Sequence, residues 1–274
     1  SSKSVASPPT TLISSLPLST KKSFGRSVFT LNHLRTMKNH HLDAPLHAQT
    51  PKAVGDMFGR IAPAYDLLNR TLSLGLDISW RKALVRAANP PAGGRVLDLA
   101  AGTLDVTAML QSNAPRLTIL AADLSLPMLI KGRHKIKSHS ILPVGADGRH
   151  LPLPDASVDR VTIAFGLRNI RPREEAYAEI KRVLTPQGKL CILEFGSGGQ
   201  RILGGLYNLY LTRILPVFGR LISRDKQAYR YLAQTICEFP SAPALEAELK
   251  QAGFSKVQGR PLTAGIVWLH IAVK

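Results

Sequence analysis

Arg95-Val96-Leu97-Asp98-Leu99-Ala100-Ala101-Gly102-Thr103-Leu104-Asp105 decides the fold. Gly93 and Gly94 precede it as turn residues, and Val96, Leu97 and Leu99 make the short apolar run of a buried parallel strand. Ala100, Ala101 and Gly102 then leave room for the backbone to turn sharply and approach a ligand, with Gly102 tolerant of positive φ. Helical spacing follows from Leu104 to Gln111. A strand that ends in small residues and opens a helix is where an α/β sheet binds ligands, outside the carboxyl ends of its strands. Alone, the stretch reads equally well as an ordinary strand-to-helix turn.

The next strand separates the two readings. Leu117 to Ala122 is a second apolar run, and it ends on Asp123, 21 positions after Gly102. A carboxylate there can accept from both hydroxyls of a ribose, which predicts a nucleoside cofactor. The G-x-G-x-x-G pattern of dinucleotide folds is absent, and Gly196-Ser197-Gly198-Gly199 lacks its third glycine. Asp98, on the strand itself, resembles the acidic residue of the S-adenosylmethionine-dependent methyltransferase loop.

At 274 residues and 45% hydrophobic, the chain is long enough for one full α/β core. Cys191 and Cys237 stand far apart without metal-ligand spacing, so neither a disulfide framework nor a metal site is expected. Tyr207 to Ile222 is the best candidate for a membrane span, but Arg213, Pro216 and Arg220 break it. The net charge is +18, and residues 1–42 contribute six basic residues and no Asp or Glu. That balance favours an anionic partner, either nucleic acid or a membrane surface with acidic lipids.

Residues 1–45 are rich in Ser, Thr, Pro and His and are expected to be a disordered extension. They also have the composition of an organelle transit peptide, which would place the mature protein in a mitochondrion or plastid. Alternatively Met37 is the native start and residues 1–36 have no role. Residues 46–90 form a helical cap in which Phe58, Ile61, Tyr65 and Leu68 make one apolar stripe. Asn89-Pro90-Pro91 ends it as a linker.

A main domain is expected over residues 91–274. After Asp123 comes a helix begun by Ser125 and Pro127, then a short strand and turn over Val144 to Gly148, a fourth strand over Val158 to Phe165, and a strand exit at Gly166-Leu167-Arg168-Asn169. Pro172 opens a helix with Glu174 and Glu175 in its first turn, Gly188 stops it, and Lys189 to Phe195 is the fifth strand. A Tyr-, Leu- and Arg-rich insert over 201–231 reads as a lid. A helix near Pro243 to Gln251 and strands near Lys256 to Gln258 and Gly265 to Val273 close the chain. The expected fold is therefore α/β and Rossmann-like, a mostly parallel seven-stranded sheet whose last strand is antiparallel, as in class I S-adenosylmethionine-dependent methyltransferases.

Several motifs carry a narrower resemblance. Tyr65-Asp66-Leu67-Leu68-Asn69, Leu72-Ser73-Leu74-Gly75, Trp80-Arg81-Lys82, Phe165-Gly166-Leu167-Arg168-Asn169, Leu193-Glu194-Phe195, Tyr229-Arg230-Tyr231-Leu232 and the closing Leu262 to Val267 with His270 resemble the ubiquinone and menaquinone biosynthesis C-methyltransferases. The resemblance spans roughly Val54 to Lys274 and implies methylation of a ring carbon of a polyprenylated quinol, demethylmenaquinol above all, with S-adenosyl-L-methionine as cofactor. It places cofactor contacts at Thr103, Asp123, Asp147 and Gly148, beside Asp98 and Gly102 from the loop. Substrate contacts fall on Asn169 and Tyr229. The chain departs from the family pattern at Leu104, where a second glycine is usual, and at Asp77, where His is common.

Such a reaction needs no metal and no protein nucleophile, only in-line placement of an electron-rich carbon. The quinol carbon is reactive mainly as its phenolate, and a nearby cation favours that anion. Arg168, at the exit of the fourth strand, is the expected cation, with Tyr65 and Asp66 as further catalytic candidates. A nucleic-acid methyltransferase would show a Pro-Cys nucleophile or an Asn-Pro-Pro-aromatic motif, and neither stands here; nucleic acid is not an expected partner. A noncatalytic cofactor-binding module is the remaining alternative if Leu104 cripples the loop. The expected setting is the cytoplasmic face of an inner membrane, held peripherally, with a homodimer as a further expectation.

Overall fold

The computed structural model of the chain describes residues 50–196 and 226–274, all within the unit Ala44–Lys274, with side chains of 226–230 left aside. The expected extension over 1–45, and the expected lid except for its last residues, lie outside them.

Three helices come first: α1 (Pro51–Ile61), α2 (Tyr65–Leu72) and α3 (Leu76–Ala88). Thr50 caps α1 by accepting from the Ala53 N–H at 3.3 Å, and Pro51 takes the first helical position, where its missing N–H costs nothing. The single apolar stripe expected over Phe58 to Leu68 is broken, because Pro63 lies in a 3₁₀ turn over Ala62–Ala64 that redirects the chain. Gly75, at φ 79°, makes the second break.

The strands are β1 (Arg95–Leu99), β2 (Thr118–Asp123), β3 (Ile141–Gly145), β4 (Val158–Ala164), β5 (Leu184–Phe195), β6 (Ser255–Leu262) and β7 (Val267–Val273). Their order in the sheet is β3-β2-β1-β4-β5-β7-β6. β1 to β5 run parallel, and β7 pairs antiparallel with both β5 and β6. Between the strands lie α4 (Asp105–Asn113), α5 (Leu126–Gly132) and α6 (Arg173–Val183), and before β6 lie α7 (Lys226–Glu238) and α8 (Ala242–Gln251).

Two expected boundaries shift. The α6 helix ends at Val183 rather than at Gly188, and the strand begins at Leu184, which pairs with Val158 before a register shift. Pro186 and Gly188 lie in that irregular stretch, so their turn signal marks a bulged strand instead of a helix stop. The third strand runs over Ile141–Gly145 and includes Pro143, which a sheet tolerates on an edge strand.

Alternation along β1 builds a core on each face of the sheet. Leu97 and Leu99 join Val161, Ile163, Tyr177 and Ile180 on the side of α6 and α8, while Val96 faces Trp80, Leu84, Val106 and Leu110 of α3 and α4. The cap is fastened to α7 by two smaller clusters, Met57 with Tyr231 and Leu68 with Ile236. The strand order reverses at β1, between β2 and β4, which leaves a crevice over their carboxyl ends.

Candidate active site

The crevice is a cleft open to solvent at its mouth, with about 740 Å³ of empty space, the open mouth included. Its floor comes from four strand exits: Leu99, Ala100 and Gly102 after β1, Asp123 to Ser125 after β2, Ala146 to Arg149 after β3, and Ala164 to Gly166 after β4. Val54, Gly55, Phe58 and Tyr65 of the cap line it as well. Phe58 and Tyr65 meet edge to face at 6.2 Å, an aromatic wall from two different helices.

The β1 exit is a run of left-handed backbone, with Ala100 at φ 54°, Gly102 at 53° and Leu104 at 64°. For Ala and Leu this conformation is uncommon and costs energy that the surroundings must offset. Leu104 offsets it by burial, completely enclosed against Ala121 and Leu129. Where the family pattern has a second glycine, this chain thus has a leucine held in left-handed backbone by its burial. Gly166 stands opposite Ala100 so closely that a Cβ on it would fall 2.4 Å from that of Ala100.

Asp123 lies at the centre. Its Oδ2 accepts the Gly102 N–H at 2.8 Å and its Oδ1 accepts the Ser125 N–H at 2.8 Å. Each oxygen keeps a second lone pair, so the carboxylate can still accept two hydroxyls. Burial pushes its carboxyl above the ordinary range against the pull of these amides. Asp147 also lines the cleft, but Arg149 holds it through both carboxylate oxygens, with the shortest contact at 2.6 Å. That hydrogen-bonded cation keeps the Asp147 carboxyl below its ordinary value. Three polar atoms among the described residues, Ser125 Oγ, Asn169 Oδ1 and Arg171 Nη2, are buried without a hydrogen-bond partner on residues that line the cleft. A sugar-bearing cofactor fits a wall of one carboxylate, such orphaned polar atoms and small-residue backbone.

Of the residues expected from sequence, Gly102, Asp123, Asp147, Gly148, Tyr65 and Asn169 are brought together. Asp98 is not. It is buried beneath the loop, where the Thr107 and Thr162 hydroxyls donate to it at 2.6 and 2.9 Å, and burial raises its carboxyl to about 6. Thr103 points away from the cleft, its hydroxyl donating to Asp66 at 2.5 Å. Asp66 also accepts from Lys135 at 2.6 Å; burial raises its carboxyl, but those two hydrogen bonds together hold it below the ordinary value. A carboxylate so occupied is a poor general base. Tyr229 lies on α7, its side chain outside the described ones.

Arg168 is placed differently from that expectation. It is 3% exposed and absent from the cleft wall; its Nη1 donates to Glu194 at 2.9 Å and to the Phe165 carbonyl, and its guanidinium lies over the Phe195 ring. A charge buried in this way must be paired, and Glu194, 26 positions along, is the partner. Among the described residues, the cations that line the cleft are Arg149 and Arg171, which sequence reasoning passed over. Arg149 sits two residues after Asp147, the one local signal that could have identified it.

Comparison with known proteins agrees with this geometry. The model of the ubiE/COQ5 methyltransferase family matches residues 46–274. The chain is 44% identical to the demethylmenaquinone methyltransferase of Thermus thermophilus over 78% of its own length and 98% of that protein. It is 38% identical to the ubiquinone/menaquinone biosynthesis C-methyltransferase UbiE of Pseudomonas aeruginosa, covering 83% of this chain and 91% of the relative. Among solved structures, an S-adenosylmethionine-dependent methyltransferase of Aquifex aeolicus superposes with a TM-score of 0.53 at 16% identity, covering 72% of this chain and 91% of that one, a likeness of fold.

Proposed function

Because the chain belongs to the ubiE/COQ5 methyltransferase family, we propose that it transfers a methyl group from S-adenosyl-L-methionine to a ring carbon of a polyprenylated quinol, with demethylmenaquinol as the substrate. The observation that carries this reading is a cleft lined both by the polar strand exits around Asp123 and by the aromatic side chains Phe58 and Tyr65 of the cap. When bound, the cofactor supplies an electrophilic methyl, so the chain has to bind, orient and exclude water rather than supply a nucleophile. Asp123 takes the ribose hydroxyls on its two remaining lone pairs. Asp147, fixed by Arg149, and Gly148 form the adenine end. With Arg168 committed to Glu194, the groups that meet the ring hydroxyl are Tyr65, Asn169 and Arg171.

The substrate tail sets a second condition, access from a lipid phase. Among the described residues no helix is long and apolar enough to cross a membrane. We infer peripheral attachment to anionic lipid, supported by the net charge of +18. The test of the whole reading is direct. Purified protein incubated with S-adenosylmethionine and demethylmenaquinol in mixed micelles should yield a ring-methylated product by mass spectrometry. Methylation of a demethylated ubiquinol precursor instead would reassign the quinol, and no product from either would overturn the reading.

A further inference from the structure

Six charged side chains lie between the cap and the β1 exit, three of each sign. Asp66 and Arg70 come from α2, Asp77 and Arg81 from α3, Asp105 from the first position of α4, and Lys135 from the turn after α5. Lys135 Nζ reaches Asp66 at 2.6 Å and Asp105 at 2.7 Å. Asp105 in turn lies 3.6 Å from Arg70 and 3.9 Å from Arg81, both of which close on Asp77. The Asp66 carboxylate has one further partner, the Thr103 hydroxyl.

The partners of Lys135 distinguish this cluster from a solvated charge face. Its side chain is 17% exposed, that of Asp105 13% and that of Asp66 30%, so removing the ammonium would leave two carboxylates facing each other at a partly buried site. Thr103 lies between Gly102 and Leu104, both left-handed, and the Gly102 N–H is one of the two amides that orient Asp123. From below, Gly132 packs against the Thr103 carbonyl so closely that a Cβ there would be 2.4 Å from the oxygen. Thr103 is therefore gripped at its side chain by Asp66 and at its carbonyl by Gly132.

We propose that Asp66 and Lys135 are positioning residues for the cofactor: they hold Thr103 turned away from the cleft and so fix the left-handed loop that presents Gly102 to Asp123. The clamp also ties the loop to α2, whose Tyr65 lines the cleft. The cofactor floor and the aromatic roof are thereby set by one carboxylate. This rests on the reading that S-adenosylmethionine occupies the cleft.

Thr103→Val, Lys135→Met and Lys135→Arg test it by cofactor titration calorimetry, thermal unfolding without cofactor, and kinetics. Thr103→Val replaces the hydroxyl by a methyl group and keeps the branched shape. We expect it and Lys135→Met to weaken S-adenosylmethionine binding about 5- to 50-fold, the scale of a lost charged hydrogen bond. KM for the cofactor should rise in step, kcat at saturation should change less than about threefold, and Lys135→Arg should recover most of the affinity. The unfolding midpoint of Thr103→Val should stay near that of the parent. Parental affinity in Thr103→Val would overturn the proposal, whether or not Lys135→Met folds. Parental affinity in a folded Lys135→Met with a lowered midpoint would also overturn it and leave a structural ion network. Absence of S-adenosylmethionine binding by the parent itself would overturn the cofactor reading first, and this inference with it.

Discussion

Two neighbouring carboxylates, Asp98 at the end of β1 and Asp147 after β3, meet opposite fates within one small region. Asp98 is sealed under the loop with two threonine hydroxyls and, among the described residues, no cation, and burial lifts its carboxyl to about 6. Asp147 lies at the rim with Arg149 locked onto it, and its carboxyl drops below the ordinary range. Asp123 stands between them: like Asp98 it is raised by burial, but it is oriented by backbone amides and opens on the cleft. The difference shows what the protein spends a buried acid on. The interior one crosslinks β1, β4 and α4, the rim one is a fixed charge, and the middle one is an acceptor kept rigid without a counter-ion to compete for its lone pairs.

The sharpest way to break this contrast is pH. An acid whose folded value is raised favours the folded state below its unfolded value near 3.8 and loses that contribution as pH rises through about 6. Relative to the parent, cofactor-free Asp98→Asn should therefore gain up to about 3 kcal/mol between pH 4 and pH 7, read from denaturant unfolding at each pH. A constant difference across that range would mean that Asp98 is not held in a costly ionised form. Asp123→Ala should come next, costing about 2 kcal/mol, roughly 30-fold, in S-adenosylmethionine affinity with little loss of fold. The parent's affinity should also weaken on acidification at a pH above the ordinary carboxylate range, where Asp123 takes up a proton. Asp123→Asn should lose that acid limb and Asp147→Asn should keep it.

Arg149→Leu should be the mildest. The pair is a fifth to a quarter exposed, so about 0.5–1 kcal/mol of cofactor affinity is expected, an effect that shrinks as salt rises. A loss as large as that of Asp123→Ala would shift the main cofactor contact to the β3 exit.

Local sequence was enough for the strand exits. The apolar runs into Leu99 and Ala122 and the 21-residue step from Gly102 to Asp123 are properties of one βαβ unit, and the structure joins the two residues by a hydrogen bond. What escaped depends on partners from elsewhere in the chain. The partners of Arg168 and Asp66 could not be read locally: Glu194 belongs to the next strand from Arg168, and Thr103 and Lys135 lie 37 and 69 positions from Asp66. The cap's share of the cleft was hidden in the same way: Pro63 turns the chain, so Phe58 and Tyr65 reach the cleft while Leu68 packs on α7. The mechanism of Leu104 was equally invisible, since only burial against Ala121 and Leu129 explains a left-handed leucine.

Pro143 bears on how copies of this chain can meet. The Ser140 carbonyl and the Ala146 N–H both bond to β2, so by strand alternation the backbone of Pro143 faces outward from the sheet's edge. An incoming strand would find no N–H at the middle of that edge, and its own carbonyl would go unmatched. Growth of the sheet from one molecule into the next is disfavoured there. A twofold assembly that continues the sheet across β3 is thereby disfavoured.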